Sequence, residues 1–348
     1  MPAESQLIAT NMISNINAQL GFDKKNMAIC GFSGGAKVAM AAFGEDANLT
    51  NLIYAGAVTE VSSYHAINML GFAGKEDMNY TDLVQFGESI QAANPNSALI
   101  EFGGKHEWPD AQTFENAFYW LIFQTWKQKS IAVDSSELKS FKESMDKKIA
   151  MEEAKADWLS AYQDCNITSV FLNGLADISD YKNKMTSISA RDGYKLAVKQ
   201  KNDVLSKEAS QKQMLLQAFQ NQSIDWWTKV IGGYKASKDP SDKRLLGFIS
   251  LAGYSYTSRM LQQQKLNDAG RVLAIYELCD PINTDQLYFH ALFYAQQGDN
   301  ATALKYLQKA IGNGFNDLKK IEGEAVFAAL RNDPNYSPIV ASLKKTSK

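Results

Sequence analysis

Residues 26–42 read NMAICGFSGGAKVAMAA, and this stretch decides the fold of the first part of the chain. Apolar residues lead to Cys30, the pentapeptide Gly31-Phe32-Ser33-Gly34-Gly35 follows, and a helical pattern begins at Ala36. A G-x-S-x-G pattern between a strand and a helix is typical of a nucleophile elbow, a sharp turn that exposes a serine hydroxyl. We expect glycines there because side chains would collide with the crossing strand and helix, or block a positive φ.

The elbow lies within an alternating pattern of strands and helices. Apolar residues recur at helical spacing from Leu7 to Leu20 and predict an amphipathic helix that ends at Gly21. The predicted strands are residues 27–32, 52–57, 66–73 and 98–102. The predicted helices between and after them run from 36 to about 43, over 81–93 and over 110–129. Four strands separated by helices imply parallel crossovers and a three-layer α/β sandwich.

The strand pattern stops at about Val133, and an all-α pattern replaces it. The stretch 134–137, DSSE, has the form of a capped helix start, and charged helical segments continue to about Lys235. Residues 238–241, KDPS, indicate a boundary. We therefore predict a partial α/β domain at 1–132, a helical connecting region at 133–240 and helical repeats at 241–348.

The last part contains an internal repeat, because residues 254–276 match residues 288–310 after a shift of 34. The matching pairs are Tyr254 and Tyr288, Gln262-Gln263 and Gln296-Gln297, Ala269 and Ala303, and Leu273 and Leu307. A 34-residue helix–turn–helix period resembles the tetratricopeptide repeat. Since helical-repeat surfaces commonly bind extended peptides, the resemblance implies a protein partner for this part.

Composition excludes several classes of function. With 36 basic and 38 acidic residues the net charge is −2, which gives no positive field for nucleic acid. The three cysteines are far apart and odd in number, so we predict buried thiols and neither a disulfide framework nor a metal site. No apolar run reaches the length of a membrane span. With no P-loop and no dinucleotide fingerprint, we predict no cofactor.

A serine nucleophile requires a base, and the chain has only three histidines to supply it. His106 lies in a glycine-rich loop after the predicted strand that ends at Phe102, where catalytic groups of α/β folds collect. His65 precedes a predicted strand and His290 lies on a repeat helix, so neither receives a role. His106 is the predicted base.

The carboxylate that orients this histidine is expected at the end of the strand between the two. Asp77 follows the third predicted strand, and the adjacent Glu76 is the alternative. The chain order is then serine, aspartate, histidine, which is the order found in α/β-hydrolases.

Residues 5–129 resemble the C-terminal half of an α/β-hydrolase, most closely the dienelactone-hydrolase and esterase-depolymerase groups. The resemblance implies that Ser33 is the nucleophile, His106 the general base and then acid, and Asp77 the group that orients the imidazole. The backbone N–H of Gly34 is implied as an oxyanion donor. The implied reaction is hydrolysis of an ester or other acyl bond in a small molecule or peptide.

Substrate-pocket residues follow from the same resemblance. The sequence Glu107-Trp108-Pro109 after the histidine recurs in such esterases, and Phe32, Glu107 and Trp108 are implied at the pocket. The aromatic residues of 110–129 recur at helical spacing and are predicted to make core and domain-interface contacts rather than to form a ligand site.

The resemblance also implies strands before the serine strand and a loop that supplies a second oxyanion N–H. This chain reaches its serine strand after one helix, so we expect a fragment of a longer secreted or periplasmic enzyme, with weak turnover or none. If the chain is complete, a cytoplasmic location is expected instead. The alternatives are a partner chain that covers the exposed sheet edge, or a non-catalytic module that acts through its helical repeats.

Overall fold

The computed structural model describes residues 3–21, 23, 26–44, 49–59 and 67–346. Contacts divide the chain into two compact units, Met1–Ala209 and Ser210–Lys348. His65 and the first residue of the third predicted strand lie outside the described residues. The predicted three-part division of the chain stays a prediction.

The first unit contains a four-stranded parallel sheet, as the sequence predicts. Its strands are β1 (Ala28–Phe32), β2 (Asn51–Ala55), β3 (Asn68–Gly74) and β4 (Ala98–Phe102), and they lie in the order β1-β2-β3-β4. Phe32 is in register with Ala55, and Ala55 with Phe72, so the carboxyl ends of the strands meet at one edge. The loops that follow β1, β3 and β4 therefore lie at the same edge of the sheet.

Helices cover both faces of this sheet. The helices of the first unit are α1 (Ala3–Leu20), α2 (Gly34–Phe43), α3 (Tyr80–Ala93), α4 (Ala111–Lys127), α5 (Ser135–Ala154), α6 (Trp158–Leu172) and α7 (Ser179–Ala190); α8 (Asp192–Asn221) continues into the second unit. Because side chains alternate along a strand, Leu52 and Tyr54 pack against α1–α3, whereas Ile53 and Ala55 pack on the face covered by α4–α7. Helices therefore pack on both faces of the parallel sheet.

Strand β1 lies at the edge of the sheet and pairs with β2 alone among the described residues. Its Cys30 is exposed, so the prediction of three buried thiols is wrong at this position, although Cys165 and Cys279 are buried. Helix α1, which packs against α2, buries Ile13 but leaves Met12 58% exposed. Residues at the edge of a sheet have fewer neighbours, so they are more exposed than the spacing of apolar residues in the sequence predicts.

The second unit is entirely helical in its described part. After the end of α8 come α9 (Ile224–Ala236), α10 (Pro240–Gln262), α11 (Leu266–Cys279), α12 (Thr284–Gln296), α13 (Asn300–Gly312), α14 (Leu318–Gly323) and α15 (Tyr336–Thr346), with short 3₁₀ turns at Ala325–Ala328 and Leu330–Asn332. The predicted boundary at 238–241 is a helix start, because Asp239 accepts a hydrogen bond from the N–H of Ser241 and Pro240 occupies the first turn.

The 34-residue period recurs in the geometry of two turns. The turn between α10 and α11 has Gln264 at φ 54°, and the turn between α12 and α13 has Gly298 at φ 80°, 34 positions later. Each turn closes with an N–H to C=O bond of 2.9 Å, from Lys265 to Met260 and from Asp299 to Tyr294. The repeat seen in the sequence is therefore a repeat of helix pairs and of the turn that joins them.

Candidate active site

Ser33 occupies a strained turn between β1 and α2. Its backbone has φ 52° and ψ −121°, a conformation that a residue with a Cβ rarely adopts. The N–H of Ser33 donates to the C=O of Ala55 at 2.8 Å, and its C=O accepts the N–H of Ala36 at 3.0 Å. Bonds to β2 and α2 therefore hold the turn, and such strain is commonly found at functional sites.

The two outer glycines of the motif have different surroundings. A Cβ on Gly31 would lie 2.4 Å from the carbonyl oxygen of Gly35 and 2.7 Å from the Cα of Ala36, so only glycine lets α2 cross β1 here. A Cβ on Gly35 would meet nothing within 4 Å. The expectation of a steric need at both glycines is thus wrong for Gly35, and the positive φ belongs to Ser33 instead.

Of the three residues predicted as a triad, His106 lies within hydrogen-bond distance of the other two. His106 Nε2 is 2.8 Å from Ser33 Oγ, and His106 Nδ1 is 2.9 Å from Asp77 Oδ2. Asp77 is 1% exposed, whereas the side chain of His106 is 24% exposed. A buried carboxylate on Nδ1 favours the tautomer whose Nε2 accepts a proton from the serine.

Backbone bonds fix the loops that carry Asp77 and His106 to each other. The N–H of Lys75 donates to the C=O of Phe102 at 2.9 Å, and the N–H of Glu76 donates to the C=O of Gly104 at 2.8 Å. A Cβ on Gly74 would lie 2.5 Å from the carbonyl oxygen of Lys105, so this glycine permits the close approach. Glu76, the alternative to Asp77, takes part through its backbone.

Asn79 supports the site, and the sequence analysis did not find it. Its N–H donates to Asp77 Oδ1 at 2.8 Å, and its side-chain amide donates to the C=O of Gly56 at 2.7 Å. Gly56 follows β2 with φ 72°, and a Cβ there would lie 3.1 Å from the imidazole of His106. An Asp-x-Asn spacing at a strand end is the only sequence signal for this link.

Aromatic rings pack beside His106. The ring of Phe32 is 4.8 Å from the imidazole and 5.4 Å from the ring of Trp108, which is 43% exposed. The row continues from Trp108 to Phe114 at 5.5 Å and from Phe114 to Phe118 at 5.8 Å. Phe118 is 66% exposed, so it lies outside the core, which is one of the two environments predicted for these aromatic residues.

Gly34 and Glu107 complete the set of predicted site residues. Gly34 is the first residue of α2, and within the described part of the chain nothing accepts a hydrogen bond from its N–H. That N–H adjoins Ser33 and is free to donate to an oxyanion. Glu107 is exposed, and its Oε1 accepts the N–H of Lys105 at 3.0 Å, so its carboxylate stabilises the histidine loop.

A buried ion pair anchors β4 near the histidine loop. The side chain of Glu101 is 7% exposed and lies 2.5 Å from Lys201 Nζ. Tyr80 Oη donates to it at 2.6 Å and Gln163 Nε2 at 2.7 Å. Burial alone raises the pKa of Glu101, but the attraction and hydrogen bonds of Lys201 and Tyr80 outweigh burial, so its pKa lies below the usual value.

Comparison with known proteins assigns no relative to this chain: no family model, curated protein or solved structure matches it. Within the described ranges no group of three or more histidine, cysteine, aspartate or glutamate side chains is arranged to hold a metal ion. No helix in the described part is long and apolar enough to cross a membrane.

Proposed function

We propose that the first unit is a serine hydrolase that cleaves an ester or other acyl bond through an acyl-enzyme. The observation that carries the proposal is the chain of two short contacts from Ser33 Oγ through His106 to Asp77, on a serine with a positive φ. The elbow and the chain order of the three residues are also those of α/β-hydrolases, which supports the same reaction.

Each residue has a definite part in the proposed reaction. As Ser33 Oγ attacks the substrate carbonyl, its proton passes to His106 Nε2, and Asp77 stabilises the imidazolium that forms. The N–H of Gly34 donates to the carbonyl oxygen as it becomes negative. His106 then protonates the leaving group, a water attacks the acyl-enzyme with His106 as base, and Ser33 is released.

The aromatic side of the site is where we place the leaving group. His106 must reach the leaving atom to protonate it, and Phe32 packs directly against the imidazole ring. Trp108 packs against Phe32 and is partly exposed, so it extends this aromatic surface. An apolar leaving group would therefore contact Phe32 and Trp108 while its leaving atom lies within reach of His106.

Labelling with a fluorophosphonate tests the proposal directly. We expect one adduct, located on Ser33 by mass spectrometry, because the probe reacts with serines activated by a histidine. The variants Ser33→Ala and His106→Gln should lose labelling. Ser89→Ala is the matched control, since Ser89 is exposed and its hydroxyl donates to the C=O of Gln85 rather than to a histidine.

Two results contradict the proposal. The first is the absence of an adduct on Ser33 in folded protein. The second is an adduct whose rate of formation is unchanged in His106→Gln, because the serine would then react without its base.

A further inference from the structure

The second unit contains a cavity of about 710 Å³ that lies between the end of α8, α10 and α11. This volume is within the range of about 300–1,000 Å³ that small-molecule sites occupy. Part of its wall is aromatic: the rings of Phe219 and Tyr256 meet edge to face, with centroids 5.3 Å apart. Phe219 is 5% exposed, so the wall is fixed by the core behind it.

The rest of the wall carries more positive than negative charge. Arg259, Lys265 and Arg271 line the cavity, and among the described residues that line it Asp268 alone is acidic. The guanidinium of Arg271 donates to the C=O groups of Gln220 and Gln222, which fixes it to the chain at the end of α8. Arg271 therefore contributes positive charge to the cavity, while its hydrogen bonds are made to the protein backbone.

Arg259 and Lys265 are different, because within the described part of the chain neither has an ion pair or a side-chain hydrogen bond. Both side chains are exposed to solvent, so their charges are available to a bound anion. Arginine binds carboxylate with two parallel hydrogen bonds, and lysine adds a point charge. The wall thus offers an anion site beside an aromatic surface.

We propose that this cavity binds an aromatic carboxylate. The flat apolar body packs against Phe219 and Tyr256, and the carboxylate lies between Arg259 and Lys265. Two sources carry this chemistry, a free aryl acid and the C-terminal aromatic residue of a peptide. The site is independent of the proposed hydrolase activity, because all of its residues belong to the second unit.

Calorimetric titration of the full chain with 2-naphthoate tests the site, with 2-naphthamide as the neutral ligand of the same shape. We expect naphthoate to bind at least tenfold more tightly than the amide, and more weakly as salt is added. Arg259→Gln and Lys265→Gln should each weaken naphthoate binding about tenfold. Asp268→Asn should strengthen it. Lys305→Gln, which removes an exposed cation outside the cavity, should change nothing.

A second pair of ligands distinguishes a free aryl acid from a peptide C-terminus. They are Gly-Gly-Trp with a free carboxylate and the same peptide as its C-terminal amide. Tighter binding of the peptide acid than of naphthoate assigns a peptide terminus, and the reverse order assigns a free acid. Equal affinity for naphthoate and naphthamide overturns the proposal. So does naphthoate binding that is unchanged in the Arg259→Gln/Lys265→Gln variant, or no binding at 1 mM, about the weakest affinity of interest, to protein with native circular dichroism.

Discussion

The two outer glycines of the serine motif should respond in opposite ways to the same substitution. In Gly31→Ala the new Cβ would lie 2.4 Å from a backbone oxygen, and three backbone atoms lie within 2.7 Å of it. In Gly35→Ala the new Cβ has open space. The sequence motif has glycine at both positions and predicts that both substitutions are harmful. The structure predicts harm at Gly31 alone, so the pair of variants distinguishes the two predictions.

The magnitudes follow from these contacts. Real Cβ atoms are essentially never closer than 3.0 Å to such atoms, so Gly31→Ala moves the start of α2 away from β1 by several tenths of an ångström. Overpacking of this kind costs about 1–3 kcal/mol of the free energy of unfolding. The same movement lengthens the 2.8 Å contact between Ser33 Oγ and His106, and misplacement by about 1 Å lowers reaction rates about 100-fold. Gly35→Ala gains up to about 1 kcal/mol from helix propensity.

Urea denaturation and the rate of fluorophosphonate labelling measure the two effects separately. We expect Gly31→Ala to be destabilised and to label at least about tenfold more slowly, within the range that such displacement produces. Gly35→Ala should label within about twofold of the parent and lose no stability. The reasoning is refuted if Gly31→Ala retains both stability and labelling, or if Gly35→Ala loses more than about 1 kcal/mol.

Three further predictions concern the site and its anchor. Asp77→Asn places an amide against His106 Nδ1, disfavours the reactive tautomer and should lower kcat about 10⁴-fold on p-nitrophenyl acetate; a rate near that of the parent contradicts this role. Trp108→Ala should raise KM for aryl esters more than for ethyl esters and leave kcat nearly unchanged, and equal effects on both ester classes would argue against the leaving-group surface. Because the pKa of Glu101 is lowered on folding, its contribution to stability is present above about pH 4.3 and is lost as the pH falls through the folded pKa. Stability measured between pH 3 and pH 6 should therefore fall less steeply in Glu101→Gln, whereas Lys201→Met should lose about 3–5 kcal/mol at pH 7 by leaving a buried carboxylate unpaired.

Much of the candidate site could be predicted from the sequence because its residues lie at strand ends. Parallel strands bring their carboxyl ends to one edge, so Ser33, Asp77 and His106 only had to follow successive strands to meet. Strand patterns and glycine-rich loops indicate such ends without any knowledge of packing. The positions of the three residues are therefore predictable, while their reaction remains a proposal.

Features that depend on packing between distant segments could not be predicted. Glu101 pairs with Lys201 across 100 residues, and nothing near either position marks it as half of a buried pair. The open space beside Gly35 and the exposure of Cys30 depend on how α2 and the sheet edge are placed. Periodicity indicates which face of a helix or strand is apolar, but it does not indicate which other element packs against that face.

Because β1 lies at the edge of the sheet, Ser33 is held less firmly than Asp77 and His106. The loops of Asp77 and His106 are tied to each other, whereas the strand that delivers Ser33 is held in the sheet by β2 alone among the described residues. Local opening of an edge strand requires less free energy than opening of the interior, so its amides should exchange with deuterium earlier than those of β3. The observed reaction rate of Ser33 is then its rate in the intact site multiplied by the fraction of molecules in which β1 is paired with β2. A covalent inhibitor that bridges Ser33 and His106 should slow deuterium uptake along the whole strand.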